Sequence, residues 1–439
     1  MARSEAPRLA PPSDPCAHSR ARVLPDAPAI GGVIKERAED FFVEEIPLGE
    51  PRGTGEYLHI CLEKIGMSTT ETVDLLSSHF GVARGDISYA GMKDKQAVTR
   101  QTLSVHGAML DPRKAESIRD ERVRVMWSDR HDEPLRRGKL AGNRFAIKVR
   151  GVEATAALAA HKALSEIERR GVPNRFGVQR FGARRNNHEV GRRLLVGDYE
   201  GAIEHIVSPY EGGEHLADHK ARELFALGDL AGALKAMPRQ SRAERRVIEG
   251  LVDGASPEEA IDWIDETQRR FWMSSVQSAV FNHVLEARVR EQTFDTVIEG
   301  DIALRHTRDR SGREPVGVDA GLLADPSLEG RLRTFELSAS GPMWGPGMAR
   351  ASGEVDMTET RALSALGLTL ADLERYDAIY GDDLIRGSRR ELRVPVTEAT
   401  VEGGVDEHGS YVLCAFALPS GAFATVVMDE IMLPAGDTS

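Results

Sequence analysis

The 439-residue chain carries three cysteines, Cys16, Cys61 and Cys414. An odd number of widely spaced thiols excludes a disulfide framework, and without a CxxC pair neither a zinc knuckle nor a redox dithiol is expected. Aromatics are scarce at 5%, so an aromatic in an unusual setting carries information. The longest unbroken apolar run, Tyr411–Leu418, spans eight residues, well short of the roughly 18 needed to cross a membrane. Met1-Ala-Arg-Ser-Glu5 leads into prolines with no apolar stretch of the secretory kind, and a cytoplasmic protein is expected. GxxxxGK[ST], GxSxG and HExxH are all missing, and Gly53-Thr-Gly55 fails the dinucleotide pattern because position 58 is leucine. His131-Asp-Glu133 has metal-ligand side chains, but consecutive residues diverge in direction and a solvated loop is expected. The chemistry should need no cofactor and no metal.

Charge is unevenly spread. The whole chain carries −12, yet the sixty residues Pro134–Arg193 hold 15 Lys/Arg against four acids, a net of +11. An acidic body with one basic belt can bind a polyanion locally.

Residues 1–30 contain six of the 21 prolines and no apolar periodicity, the composition of a disordered tail. Leu58, Ile60 and Leu62 alternate as in a half-buried strand. Ser68-Thr-Thr-Glu71 has capping-box spacing, with Val73, Leu76 and Phe80 on one helical stripe behind it. Ile87–Ala90 and Thr99–Val105 read as short strands joined by the turn Gly91-Met-Lys-Asp-Lys95. In Asn143–Gly151, Phe145, Ile147 and Val149 face one way. Arg144, Lys148 and Arg150 face the other, and this basic side should be free for solvent or phosphate. Ala157, Ala160, Leu164 and Ile167 mark another helix. Beyond about residue 200 helical patterns dominate, interrupted by a polar, Gly-rich loop over 305–330. Tyr411–Leu418 is a strand, Pro419-Ser-Gly421 a turn, and Phe423, Val427 and Ile431 a helical stripe.

Four constellations remain. In Tyr89-Ala-Gly-Met-Lys-Asp-Lys95, Asp94 lies between two lysines after small residues that let a backbone approach. It is either a charged turn residue or a carboxylate kept ionised as a nucleophile. In Val172-Pro-Asn-Arg-Phe-Gly-Val-Gln-Arg-Phe-Gly182, two Phe-Gly units alternate with arginines, fitting either a base-stacking surface or core packing. The third is Lys35 with Glu39-Asp-Phe41. The fourth is Leu418-Pro-Ser-Gly-Ala-Phe-Ala-Thr425, where Phe423 could simply be a core contact.

In this order the four pieces resemble the TruD family of tRNA pseudouridine synthases. Its AG-x-KD-x-x-A-x-T-x-Q motif is matched by Ala90, Gly91, Lys93, Asp94, Ala97, Thr99 and Gln101. Its N-x-FG-x-QRFG motif is matched by Asn174, Phe176, Gly177, Gln179, Arg180, Phe181 and Gly182. The resemblance runs from about Val33 to Ile431. It implies an α+β fold: a mixed, mainly antiparallel sheet with flanking helices, plus an α/β insertion domain rich in helices. The catalytic domain would take residues 31–200 and 396–439, and the insertion 201–395. It also implies a cofactor-free isomerase of uridine in tRNA, most simply uridine 13 of the D-arm; a monomer is the default expectation, with no protein partner.

By the same resemblance Asp94 is the ionised catalytic carboxylate, attacking the base or the anomeric carbon or abstracting a proton, and it is held or contacted by Asn174. Lys35, Phe41, Lys93, Asn174, Phe176, Gln179, Arg180 and Phe423 would contact the substrate. Lys93 need not pair with Asp94, since neighbours on an extended chain point apart. A reacting uridine must leave its stack, so an aromatic receiving the flipped base is expected, and the belt would track RNA backbone. Tyr57, where many relatives have His, and a longer middle region bear on the target nucleotide rather than the reaction. A non-catalytic tRNA-binding protein or chaperone using the same cleft is the alternative, and a small-molecule lyase or isomerase ranks last.

Overall fold

A computed structural model describes residues 21–49, 52–107, 110–210, 217–306, 312–381 and 384–433; the proline-rich positions 1–20 lie outside the described residues. The chain divides into two compact units, one formed by Arg22–Val172 with Val394–Ala435 and the other built on Pro173–Arg393.

The first unit is organised by an eight-stranded sheet. Its strands are β1 (Phe41–Ile46), β2 (Tyr57–Ile65), β3 (Ile87–Tyr89), β4 (Val98–His106), β5 (Val123–His131) and β6 (Gly142–Arg150). The hairpin of Thr397–Asp406 and Gly409–Pro419 completes it. β1 runs parallel to β4, and the other pairings are antiparallel. Register places Leu58, Ile60, Leu62 and Lys64 on one face with their β4 partners Val105, Leu103, Gln101 and Thr99. Val43 stands between Thr99 and Phe145, so β1 and β6 present the same face.

That face is covered from both ends. Helix α1 (Thr69–Phe80) buries Val73, Leu76 and Phe80 against Leu58, Ile60, Leu103 and Val105. It starts where the capping spacing predicts. Glu71 N–H donates to Ser68 Oγ at 3.2 Å, and Ser68 N–H returns to Glu71 Oε2 at 2.9 Å. The helices Ala157–Arg170 and Ala424–Met432 cover the other end, packing Leu164, Ile167, Val427 and Ile431 with Phe145, Ile147 and Phe416. On the reverse face, Arg100 bridges Glu63 at 2.8 Å and Glu44 at 3.2 Å, a cross-strand charge ladder.

The chain is anchored earlier than its proline content implies. Ile30 N–H donates to Ile431 O at 3.1 Å, and the Arg22 side chain donates to Glu430 O at 2.6 Å.

The expected free basic side of β6 is corrected. β6 is an interior strand, and its neighbours supply acids. Arg144 pairs with Glu398 at 2.7 Å, and Lys148 with Asp406 at 2.8 Å. Arg150 is buried between Asp40 and Asp406.

The second unit is largely helical, with the 25-residue helix Glu266–Arg290 buried through its centre. It also contains a four-stranded sheet of Ile302–His306, Arg313–Gly317, Leu337–Met343 and Ser388–Glu391. The stretch expected to be a loop over 305–330 therefore holds a hairpin strand and helical turns. Arg313–Gly317 is paired along its length by backbone bonds, which need no apolar alternation. No helix among the described residues is long and apolar enough to cross a membrane.

Candidate active site

Between α1 and the C-terminal helices, the covered face of the sheet changes from apolar to polar. Lys64, Thr99 and Gln101 are fully buried there, and the side chain of Glu45 is 6% exposed. The turn between β3 and β4 crosses this patch. It has little regular structure of its own and is pinned from below: Lys93 N–H donates to Thr69 Oγ1 at 3.0 Å, and Gln101 Nε2 donates to Gly91 O at 2.6 Å. Thr69 Oγ1 in turn donates to Gln101 Oε1 at 3.2 Å, so one buried pair fixes the turn at two points.

Two successive side chains leave this turn in different directions. Lys93 goes down. Its Nζ lies 3.0 Å from Glu45 Oε1 and donates to Asn143 Oδ1 at 2.7 Å. Asp94 goes up, with its side chain 48% exposed, and meets Lys35 Nζ at 2.5 Å. Lys35 reaches it from a left-handed backbone, φ +60°, a conformation uncommon for a lysine. Its ammonium also stands 4.3 Å from the centre of the Phe41 ring. Phe41 is 3% exposed and packs edge-on against Phe145, 6.4 Å between centroids. Asp94, Lys35 and Phe41 thus meet at one place, with Lys93 beneath.

The polar floor is electrostatically strained. Burial pushes the Glu45 carboxyl up, against the pull of Lys93. Burial and the neighbouring Lys93 push the Lys64 ammonium down to about 8. Lys64 Nζ donates to Met67 O at 2.6 Å, and Glu45 Oε2 accepts from Thr102 N–H at 2.9 Å. None of Glu45, Lys64, Thr69 and Asn143 was given a role in the site from the sequence. One signal for Lys64 was present: it occupies the inward position two residues after Leu62 in an alternating strand.

Phe423 caps the start of the helix Ala424–Met432 after a turn in which Gly421 takes φ +84°. It is 40% exposed, whereas Phe41, Phe80, Phe145 and Phe416 of the same unit are buried.

The second motif lies in the other unit. Asn174 is buried; its Nδ2 donates to Glu391 O at 2.9 Å, and Arg390 donates to its Oδ1. Phe176 is 5% exposed and Phe181 fully buried, so neither presents a free stacking face. Phe176 packs edge-on against Phe281 at 5.6 Å, and the guanidinium groups of Arg390 and Arg180 stand 4.2 and 4.9 Å from its ring centre. Burial pushes Arg390 down to about 10 and lowers Arg180. Gln179 is exposed on the short helical turn Val178–Phe181. Among the described residues no group of three or more His, Cys, Asp or Glu could hold a metal; His131 ends β5 with its ring stacked on His59 at 4.6 Å.

The fold is shared with a solved protein. The crystal structure of a TruD chain from Methanosarcina mazei superposes with a TM-score of 0.79 at 28% identity, covering 93% of this chain and 94% of that one. The fold is therefore that of the pseudouridine-synthase class. The family model described as tRNA pseudouridine synthase D (TruD) matches residues 21–431. The tRNA pseudouridine synthase D of Geobacter metallireducens is 37% identical over 407 residues, 92% of this chain and 96% of its own. That of Geobacter sp. (strain M21) is 38% identical over 411 residues, 93% and 98% respectively. The chain belongs to the TruD family of tRNA pseudouridine synthases.

Proposed function

We propose that this protein converts uridine to pseudouridine in tRNA, at position 13 of the D-arm, with Asp94 as the reacting carboxylate and the target base flipped from its stack. The reaction breaks the bond from N1 of uracil to C1′, turns the base and joins C5 to C1′. The C5 proton leaves and N1 gains one, so atoms balance without redox change or cofactor. A carboxylate at the sugar–base junction can carry this by attacking the sugar or the base, or by abstracting a proton. The observation carrying this reading is the Asp94–Lys35 pair at 2.5 Å, open to solvent above Phe41 on a floor of buried polar groups.

Lys35 supplies the counter-charge, Lys93 holds the turn from below, and Phe423 offers a ring to the everted base, while Phe41, buried beneath Lys35, is assigned to the substrate by the family motif. Asn174, Phe176, Gln179 and Arg180 are assigned to the substrate by the family motif. The catalytic domain takes residues 31–200 and 396–439, and residues 201–395 are the family's insertion. The protein works as a cytoplasmic monomer.

The test is incubation with unmodified tRNA followed by chemical mapping of pseudouridine. Product at position 13 is expected. Asp94→Ala should abolish turnover while tRNA still binds. Product at another position would move the target, no product from any tRNA pool would leave only a binding protein, and an active Asp94→Ala enzyme would remove the carboxylate from its role.

A further inference from the structure

We propose that a cavity beside the Asp94 turn is a second nucleotide site, holding one unstacked nucleotide of the substrate RNA other than the reacting uridine. The inference rests on the RNA reading above and adds a place where the RNA is gripped. The cavity measures about 300 Å³, and Val73, Ile87, Leu135, Tyr89, Arg84 and Arg137 contribute to its wall. That is the lower end of the volume range of small-molecule sites. β3 passes from this wall into the turn bearing Asp94, but neither Asp94, Lys35 nor Phe41 lines it.

Its chemistry is divided in the way a nucleotide requires. Val73 and Ile87 are buried and, with Leu135, give an apolar floor for a base. Tyr89 adds a ring, with the Arg137 guanidinium 5.5 Å from its centre and donating to its hydroxyl at 3.1 Å. Arg84 and Arg137 are exposed at the rim and can take a phosphate in the forked geometry guanidinium groups favour. Arg84 pairs with Asp74, but the Arg84 side chain is 64% exposed, and a surface pair of this kind contributes little and can be exchanged for another anion.

The wall is already in place. Leu135 N–H donates to Ser104 Oγ at 3.0 Å, and Ser88 Oγ meets the same atom at 2.7 Å. Gly138, at φ +81°, donates its N–H to Ala90 O at 2.7 Å. The loop Pro134–Leu140 so fastened carries exposed Arg136, Arg137 and Lys139 and no acid. A row of cations extending past the cavity fits a chain of phosphates better than one small anion.

The experiment measures the dissociation constant of full-length protein for unmodified tRNA, over a range of salt concentrations. Arg84→Ala/Arg137→Ala is expected to weaken binding at least tenfold and to flatten the salt dependence by roughly two phosphate contacts. Thr70 is exposed at the cavity wall. Thr70→Trp fills the space without changing charge and should weaken binding at least fivefold with the salt slope kept. If that variant melts early, Thr70→Leu replaces it under the same criterion. Wild-type affinity in the filled variant would reduce the arginines to general electrostatics and overturn the site, as would an unaffected double-alanine variant. Binding is read separately from product. A chain that binds tRNA without making pseudouridine defeats the function reading alone, and product formation with indifferent cavity variants defeats only the cavity.

Discussion

Lys35 and Asp94 stand 59 positions apart in the chain, yet their charged ends meet at 2.5 Å. The contact depends on the left-handed backbone of Lys35, φ +60°. Residues held in sparsely populated backbone regions persist when surrounding structure fixes them. Lys35→Met should lower the single-turnover rate of pseudouridine formation at least tenfold, with tRNA affinity changed less than threefold. Lys35→Gly should lose the same rate while stability stays within about 1 kcal/mol, because relief of the strained backbone offsets glycine's extra unfolded-state entropy. Rapid-quench kinetics and melting curves check both. A methionine variant with wild-type rate would detach the lysine from the chemistry.

Below the turn, Lys93 and Glu45 form a buried ion pair at 3.0 Å with Lys64 nearby. Removing one member of such a pair leaves an uncompensated charge, typically about 3–5 kcal/mol. Lys93→Met and Glu45→Gln should each destabilise on that scale. The double variant should cost less than the two together by about 1–3 kcal/mol. Urea unfolding of the four proteins measures the coupling, and strict additivity would show that the two side chains do not support one another.

Lys64 gives the assembly a pH signature. Its ammonium is pushed down to about 8 by burial and by Lys93, against about 10.4 in an unfolded chain. Between those values the unfolded state holds a proton that the folded state has released, so this group makes stability rise with pH. Below pH 8 both states are protonated and the folded chain carries the full desolvation penalty. The melting-temperature gain of Lys64→Met over the parent should therefore be largest near pH 7.5 and shrink toward pH 10. Comparing the two proteins cancels other groups that titrate in this range. A difference constant across the window would place the titration elsewhere.

What could be read from the residues divides by physical cause. α1, β2, β4 and β6 were legible because one-sided burial imposes a period on the sequence, and the Ser68–Glu71 box marks a helix start chemically. The middle sheet was not. Arg313–Gly317 joins it through backbone hydrogen bonds, which every residue type offers. Asp94 was singled out by its motif, and the polar floor was not, because Lys64 and Glu45 meet only when distant strands align. The basic face of β6 misled for the same reason. Its acidic partners Asp40, Glu398 and Asp406 lie far away in sequence and become neighbours in the sheet.

Phe423 and Phe41 separate substrate contact from packing. Phe41 is 3% exposed, and Phe423 is 40% exposed at the head of a helix. Truncating a buried phenylalanine typically costs about 3–5 kcal/mol, because it leaves a cavity as well as losing transfer energy. Phe41→Ala should destabilise on that scale, and its activity loss would mix folding with chemistry. Phe423→Ala removes a ring that already faces water in part, so its stability cost should stay near 1 kcal/mol. If that ring receives the everted uracil, kcat/KM for tRNA should fall at least tenfold while the melting curve barely moves. Stacking on an aromatic is worth about 1–3 kcal/mol per base, and tenfold corresponds to about 1.4 kcal/mol, so the expected loss lies within what one stacked ring supplies. Phe423→Leu should recover the small stability deficit without recovering activity, since it restores apolar volume but no flat surface. Full activity in the leucine variant would mean that Phe423 acts through bulk alone, and the base would need another partner.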